Sequence, residues 1–196
     1  WFRNNLRVLD NKNLTAACRE SDLIIGVYFL DPKLFKIGPQ GFRKMEKYRA
    51  KFLLETLRDL KLQLEDLNIR LLVYYDEPEN LLPGIVKNYK VTSVYHQKEW
   101  TRDEALQIKR VKNKLPAPIT FKSQYDQFLY EPIHIPFKTF SEIPRVYSGF
   151  FYILKGITGH SGRPQYKAQH GRIASDVRNR VENCYVSNSI SGYGSQ

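Results

Sequence analysis

Residues 23–30 read Leu-Ile-Ile-Gly-Val-Tyr-Phe-Leu, eight positions without a polar side chain. A run of that length, rich in β-branched and aromatic residues, suits a strand covered on both faces. Such a strand demands helices above and below it, and the rest of the chain is patterned to supply them. Asp31-Pro32 ends the run, and a loop at 37–41 (Ile-Gly-Pro-Gln-Gly) follows. Leu53, Leu57, Leu60, Leu64 and Leu67 then recur at three or four positions, one face of a long helix. Residues 69–75 form the next strand pattern. Pro78, beside Asp76 and Glu77, marks a helix start that continues through Leu81, Leu82, Ile85 and Val86, with Pro83 still near its beginning. Residues 91–95 make a short strand. Thr101 and Glu104 have the spacing of a capping box, which opens a helix to about Lys114. Residues 118–122 form a further short strand. Trp1-Phe2 reads as the tail of a first strand, followed by a helix beginning near Asp10-Asn11, both good caps.

Strands alternating with helices over short connections imply parallel pairing and helices on both faces. The expected class is α/β, a doubly wound Rossmann-like parallel sheet of about five strands. The expected boundaries are an α/β domain over 1–123, a linker over 124–147 and an irregular basic tail over 148–196. The linker expectation rests on residues 125–144, which hold many aromatics and prolines but no helical period. Residues 145–196 are glycine-containing, carry seven Lys or Arg against two Asp or Glu, and show little hydrophobic recurrence. That composition fits a disordered or aberrant segment.

The chain has 196 residues, 42% of them hydrophobic and 26% charged, and no apolar run near the roughly 20 residues of a membrane span. Two distant cysteines, Cys18 and Cys184, give no disulfide framework, so an intracellular location is expected: cytoplasm, nucleus or an organelle. The net charge of +11 favours nucleic acid as a partner, although many of the basic residues fall on helical faces that solvent alone accounts for. Because the chain opens at Trp1 without Met, its natural N-terminus is expected upstream.

Ligand signatures are missing. No G-x-G-x-x-G follows a strand. Gly156, Gly159 and Gly162 lack the Lys-Ser/Thr of a phosphate loop. His96, His134, His160 and His170 have no metal-ligand spacing. No catalytic constellation is expected in this chain, and whether it is an enzyme by itself stays open.

Four segments resemble the photolyase and cryptochrome family. Trp1-Phe2-Arg3-Asn4-Asn5-Leu6-Arg7, with Asp10-Asn11, is similar to the family's W-F-R-x-D-L-R-x-x-D-N opening. Asp31-Pro32 and the 52–60 stretch (Phe-Leu-Leu-Glu-Thr-Leu, then Asp59-Leu60) resemble its next strand end and helix. Val94-Tyr95-His96-Gln97-Lys98-Glu99 resembles the V-Y-A-H-K-E stretch of DASH-type cryptochromes. Leu129-Tyr130-Glu131-Pro132 and Ile135-Pro136-Phe137 resemble their linker. The segments are collinear and cover roughly 1–147. Asn5 stands where the family usually has Asp, and Trp100 replaces a smaller residue. Ser175 to Glu182 faintly resembles the opening of the family's helical domain.

The resemblance implies a light-harvesting α/β domain of a FAD-dependent DNA photolyase or blue-light receptor, without the helical domain that holds FAD and meets DNA. It implies methenyltetrahydrofolate as antenna, no flavin in this chain, and the helical domain and DNA as partners. Glu99 is the residue expected to receive a pterin edge. The competing account makes it an exposed acid favourable to the following helix. Replacing it by Gln is expected to weaken folate binding and to leave fold stability nearly unchanged. Lys98 would hold the folate's negative tail. Phe35 and Phe42 would wall the pterin, with core packing as the alternative for each. Arg3, Arg7 and Asp10 read as structural. The rival function is a Rossmann-like nucleotide-binding or protein-interaction module, which would need a phosphate loop that is not visible.

Overall fold

The computed structural model describes residues 1–39, 41–116, 118–128 and 134–158. The Leu129 to Pro132 motif and everything after Thr158 lie outside the described residues. That excludes Gly159, Gly162, His160, His170, Cys184 and the 175–182 segment. Two compact units are present, residues 1–126 and a second beginning at Gln127.

In the first unit the order is α1 (Lys12–Glu20), β1 (Ile25–Phe29), α2 (Lys47–Glu65), β2 (Arg70–Tyr74), α3 (Pro78–Asn88), β3 (Ser93–Gln97), α4 (Arg102–Lys114) and β4 (Thr120–Gln124). A 3₁₀ turn, Pro32–Phe35, follows β1. The strands form two parallel pairs. β1 runs beside β2 with Ile25 opposite Arg70, and β3 beside β4 with Ser93 opposite Thr120. The expectation of about five strands is therefore not met by assigned strands. The fifth, expected at Trp1-Phe2, consists of two backbone bonds: Phe2 N to Val27 O (2.9 Å) on β1 and Trp1 N to Tyr95 O (2.8 Å) on β3. Two bonds, one to each side, are too few to count as a ladder, but they set this segment between the two pairs.

Ring contacts mark the same order. Phe121, His96, Trp1, Phe29 and Tyr74 stand in one row, with successive centroids 4.4, 5.7, 6.2 and 5.9 Å apart. Each ring comes from a different extended segment. They sit within the 4.5–7 Å range, or just under it, in which aromatic pairs attract.

Side chains alternate across a strand, so a doubly covered strand feeds two cores. Tyr28 joins a cluster with Cys18 of α1 and Leu53, Leu57, Leu60 and Leu64 of α2. Val27 and Phe29 join the opposite cluster, with Leu82 and Val86 of α3 and Val111 of α4. Helices therefore lie on both faces, and the leucine stripe of α2 is buried as its period requires.

Local chemistry closes the elements. Asn11 caps α1 by accepting from Leu14 N. Asn68 and Lys90 take positive φ after α2 and α3, where Ile69 N reaches Leu64 O and Val91 N reaches Val86 O. The capping box at Thr101 differs from expectation. Its hydroxyl bonds the Glu104 carboxylate rather than a backbone N–H, so the two caps satisfy each other. Asp31 accepts from Lys33 N at 2.8 Å and, through its other oxygen, from Gln107 of α4 at 3.0 Å. Asp31→Ala should lower unfolding free energy by about 1 kcal/mol, through loss of a cap and of one tertiary bond. A urea titration checks this. A change within the about ±0.5 kcal/mol of ordinary surface substitutions would contradict it.

In the second unit, α5 spans Tyr147–Thr158, where an irregular tail was expected from residue 148. Phe150 and Leu154 stand four apart on a helix face, and Leu154 is buried. Phe150 also stacks on Phe137, with centroids 5.6 Å apart. The apolar run at 150–154 supplies the recurrence that composition over the longer segment had diluted.

Candidate functional site

Trp1–Asn4 lies between β1 and β3, and the helices change face there. α1 and α2 serve one core and α3 and α4 the other. Where successive crossovers turn opposite ways, the loops leaving adjacent strands diverge and open a crevice at the strands' carboxyl ends. In this chain Arg3 and Asn4 from one segment meet Gln97 and Glu99 from the end of β3 at that switch point.

Glu99 sits at its centre, and it is buried, with 7% of its surface exposed. This overturns the account of Glu99 as an exposed acid. Its Oε1 accepts from Asn4 Nδ2 at 2.5 Å. Its Oε2 lies 2.5 Å from Arg3 Nη2, an ion pair without hydrogen-bond geometry. Asn4 N donates to Gln97 Oε1 at 3.1 Å, which ties the two loops a second time. The Arg3 guanidinium also lies over the Trp1 ring, 4.6 Å from its centroid. Arg3 Nε and Nη1 and Glu99 Oε2 have no hydrogen-bond partner among the described residues. Burial pushes the Glu99 carboxyl above its usual range, although Arg3 and Asn4 pull it down. Burial likewise lowers the Arg3 pKa against the attraction of Glu99. Both partners move toward neutrality, so desolvation outweighs their mutual attraction.

Lys98 is exposed and lies over the Tyr125 ring, 4.7 Å from its centroid. Its backbone N–H bonds Gln124 O, which holds the exit of β3 against β4. Phe35 is half-buried. It packs on the α2-side core and meets Tyr75 with centroids 6.1 Å apart, which is core packing. Phe42 is 64% exposed in the loop after β1, near Lys44, which pairs with Asp103 of α4 at 2.9 Å. Trp100 is 66% exposed. The structure thus gathers Glu99, Arg3 and Asn4, places Lys98 next to them, and sets Phe35 into the core.

Below this cluster a second polar group holds the turn before α1. Asn5 donates to Asn11 Oδ1 (3.2 Å) and Asp126 Oδ2 (3.3 Å). Arg7 donates to the carbonyls of Asp10 (2.8 Å) and Asp126 (3.0 Å). An Asp at position 5 would face Asp126 as a like charge, so the amide is the better partner here.

Sequence reasoning missed Asn4, Gln97, His96 and Asp126. Asn4 carried a signal, since it lies in the quoted opening motif directly after Arg3. The others carried none, because a polar residue near a strand end predicts a bond only once its neighbour across the sheet is known.

The hydrogen-bonding capacity of Arg3 and Glu99 is not used up. Each carboxylate oxygen accepts two bonds, and each oxygen of Glu99 has one close partner. The buried N–H groups of Arg3 add donors at the same place. In chemical type Glu99 suits a pterin edge and Lys98 an anionic tail, and Phe42 is exposed. Phe35 does not fit as a wall.

The chain matches the family model described as DNA photolyase over residues 1–165. It is 32% identical over 151 residues to the cryptochrome DASH of Gloeobacter violaceus, an alignment covering 76% of this chain and 30% of that protein. It is 40% identical over 116 residues to the chloroplastic/mitochondrial cryptochrome DASH of Solanum lycopersicum, covering 59% of this chain and 20% of that one. The solved cryptochrome of Synechocystis superimposes with a TM-score of 0.74 at 30% identity, over 84% of this chain and 34% of that chain. The chain spans about a third or less of the length of these relatives.

Proposed function

This chain belongs to the DNA photolyase family, and from that premise we propose that it is the antenna-bearing α/β portion of a flavin-dependent photolyase or blue-light receptor. The observation that carries the antenna assignment is Glu99. It is a buried carboxylate at the point where the sheet's helices change face, held by Asn4 and Arg3, with acceptor capacity left on Oε2.

A bound methenyltetrahydrofolate supplies absorption of near-UV or blue light and transfer of that excitation. The chain's residues bind and orient. Glu99 accepts from the pterin edge, a charge-assisted contact that fixes the ring's rotation in its plane. Arg3 and Asn4 hold the Glu99 carboxylate so that little side-chain freedom is lost on binding. Lys98 supplies positive charge for the folate's carboxylates, and Phe42 apolar surface at the rim. Electron-transfer chemistry belongs to the flavin-holding helical domain that membership implies, and no residue of this chain is assigned a catalytic role. DNA and that helical domain are the partners of the whole protein under this proposal.

The test is a fluorescence titration with methenyltetrahydrofolate. Saturable binding at one site is expected. Lys98→Ala should weaken it about tenfold, the loss of one hydrogen bond to a charged group, about 1.5 kcal/mol. Melting should be unchanged, because Lys98 is exposed. No saturable binding, or equal affinity in the variant, counts against the reading.

A further inference from the structure

The stretch from the 3₁₀ turn into α2 is basic and, unlike an ordinary solvated face, apolar as well. Residues 32–54 carry seven Lys or Arg and one acid, Glu46. Lys33 and Lys44 are held by Glu77 and Asp103 from other elements, and Lys51 by Glu55. No acid among the described residues pairs with Lys36, Arg43 or Lys47.

Within this stretch, residues 37–43 form a two-stranded finger. Ile37 and Arg43 are paired in an antiparallel bridge. Gly38 N donates to Phe42 O (2.9 Å), and Gly41 N to Gly38 O (3.0 Å), which closes a turn with Pro39 at its second position. Gly41 takes φ +83° to return the chain. Nothing lies within 4 Å of the place a Cβ would occupy there, so that side of the tip stands open. The base is fixed. Met45 is buried with its N–H on Leu34 O (2.8 Å), and Arg49 donates to Lys44 O (2.8 Å). On this anchored finger stand Ile37, 68% exposed, and Phe42, with Lys36, Arg43 and Lys44 exposed beside them. Tyr48 and Phe52, exposed and four apart, continue the apolar character along α2, and Lys47, Arg49 and Lys51 continue the charge.

We propose that the 36–44 finger is a membrane-surface anchor: Ile37 and Phe42 enter the headgroup boundary of an anionic bilayer, and Lys36, Arg43 and the cations at the start of α2 meet its negative headgroups. The chain then lies on the bilayer without crossing it, and no helix among the described residues is long and apolar enough to cross one. Apolar insertion and a basic patch are each weak alone and hold together. The finger's backbone suits a place poor in water, because Gly38, Gly41 and Phe42 bond one another and Pro39 has no N–H to satisfy. The chemistry of the patch selects this occupant. Protein interfaces are depleted of charge at their centres, whereas here cations flank the apolar tip. Single-stranded nucleic acid is held by rings that stack bases along a groove. This tip projects, and Ile37 has no ring face. Phe42 is shared with the antenna reading, so the test turns on Ile37, Lys36 and Arg43 and uses no folate.

The experiment is co-sedimentation of the chain with vesicles of phosphatidylcholine alone, or with about one third phosphatidylglycerol. Binding to the anionic vesicles only is expected, and it should fall steeply by about 0.5 M salt. Lys36→Gln with Arg43→Gln should weaken it about thirtyfold, since each cation near such a surface is worth about fivefold. Ile37→Asp should weaken it at least about tenfold, with melting unchanged because the side chain is exposed. Phe42→Trp should add emission that a lipid spin-labelled near the headgroup quenches, above the background of Trp1 and Trp100 in the unaltered chain. Cations elsewhere in the chain also attract anionic vesicles, so the substitutions decide. Four results overturn the proposal: no binding to anionic vesicles, equal binding to neutral ones, binding that neither variant weakens, or no added quenching in Phe42→Trp. A single-stranded oligonucleotide that binds, and is lost with all three substitutions while vesicles never bind, would give the patch to nucleic acid instead.

Discussion

Glu99→Ala is expected to destabilise the fold by about 3–5 kcal/mol, the loss seen when one partner of a buried ion pair is removed. The side chains of Arg3 and Glu99 retain only 6% and 3% of their exposure. Taking away the carboxylate leaves a guanidinium with no counter-charge, two of whose nitrogens already lack hydrogen bonds. Glu99→Gln keeps the shape but not the charge, so it should fall in the same direction by a smaller amount. This reverses the expectation that Glu99→Gln leaves stability nearly unchanged, because the side chain is buried against Arg3. Arg3→Met combined with Glu99→Leu should recover most of the loss. Desolvation already opposes both charges, and a buried pair replaced by apolar residues is often neutral or better. Urea unfolding of the three variants decides the matter. A loss under about 1 kcal/mol for Glu99→Ala would mean that the pair is solvated. A double variant worse than the single would mean that the pair holds the loops by geometry rather than charge. The double variant also separates two effects in the antenna titration, because it removes the acceptor while keeping the fold.

Lowering the pH from 6.5 to 4 should remove about 3 kcal/mol of stability through His96. The ring is buried between Trp1 and Phe121, with Nδ1 2.9 Å from Gln97 O. Burial pushes its pKa from 6.5 down to about 4, Arg3 adds to the fall, and the contact with Gln97 O opposes it. Below pH 6.5 the unfolded chain takes up a proton that the folded chain refuses until about pH 4. The unfolded state therefore binds more protons in that window, and stability drops as pH falls through it. The contribution is fully present above pH 6.5. Glu99 and Asp126, whose pKa values burial raises, act in the opposite sense around their own titrations. His96→Phe preserves the ring row, so the difference between the two proteins isolates the histidine. Parallel stability curves for the two from pH 7 to 5 would show that His96 does not titrate as a buried base.

Much of the scaffold was legible in residue order. The apolar run at 23–30 demanded a doubly covered strand, and β1 feeds both cores. The leucines of α2 repeat at the helix period, and four of them are buried. Asn11 caps α1 and Pro78 opens α3, each from chemistry within one turn. Boundaries drifted by a few residues: β3 starts at Ser93 rather than 91 and β4 at Thr120 rather than 118. α5 was missed because five apolar residues at 150–154 were averaged into a glycine-containing tail.

The site divides along the same line. Glu99 was singled out from the stretch that resembles DASH-type cryptochromes, and it lies just past the end of β3. Its burial, its partner and the cost of replacing it came only from the fold. Arg3 and Glu99 lie 96 positions apart, and no periodicity connects them. Periodicity and caps are short-range properties, set by rise per residue and by donors within a turn or two, so they are written in local sequence. Strand order, the pairing of charges across loops and the desolvation that moves a pKa depend on which distant segments the sheet brings side by side. For His96, Arg3 and Glu99 that neighbourhood was decided by the packing of Trp1–Asn4 between β1 and β3, because only there does each group lose its water.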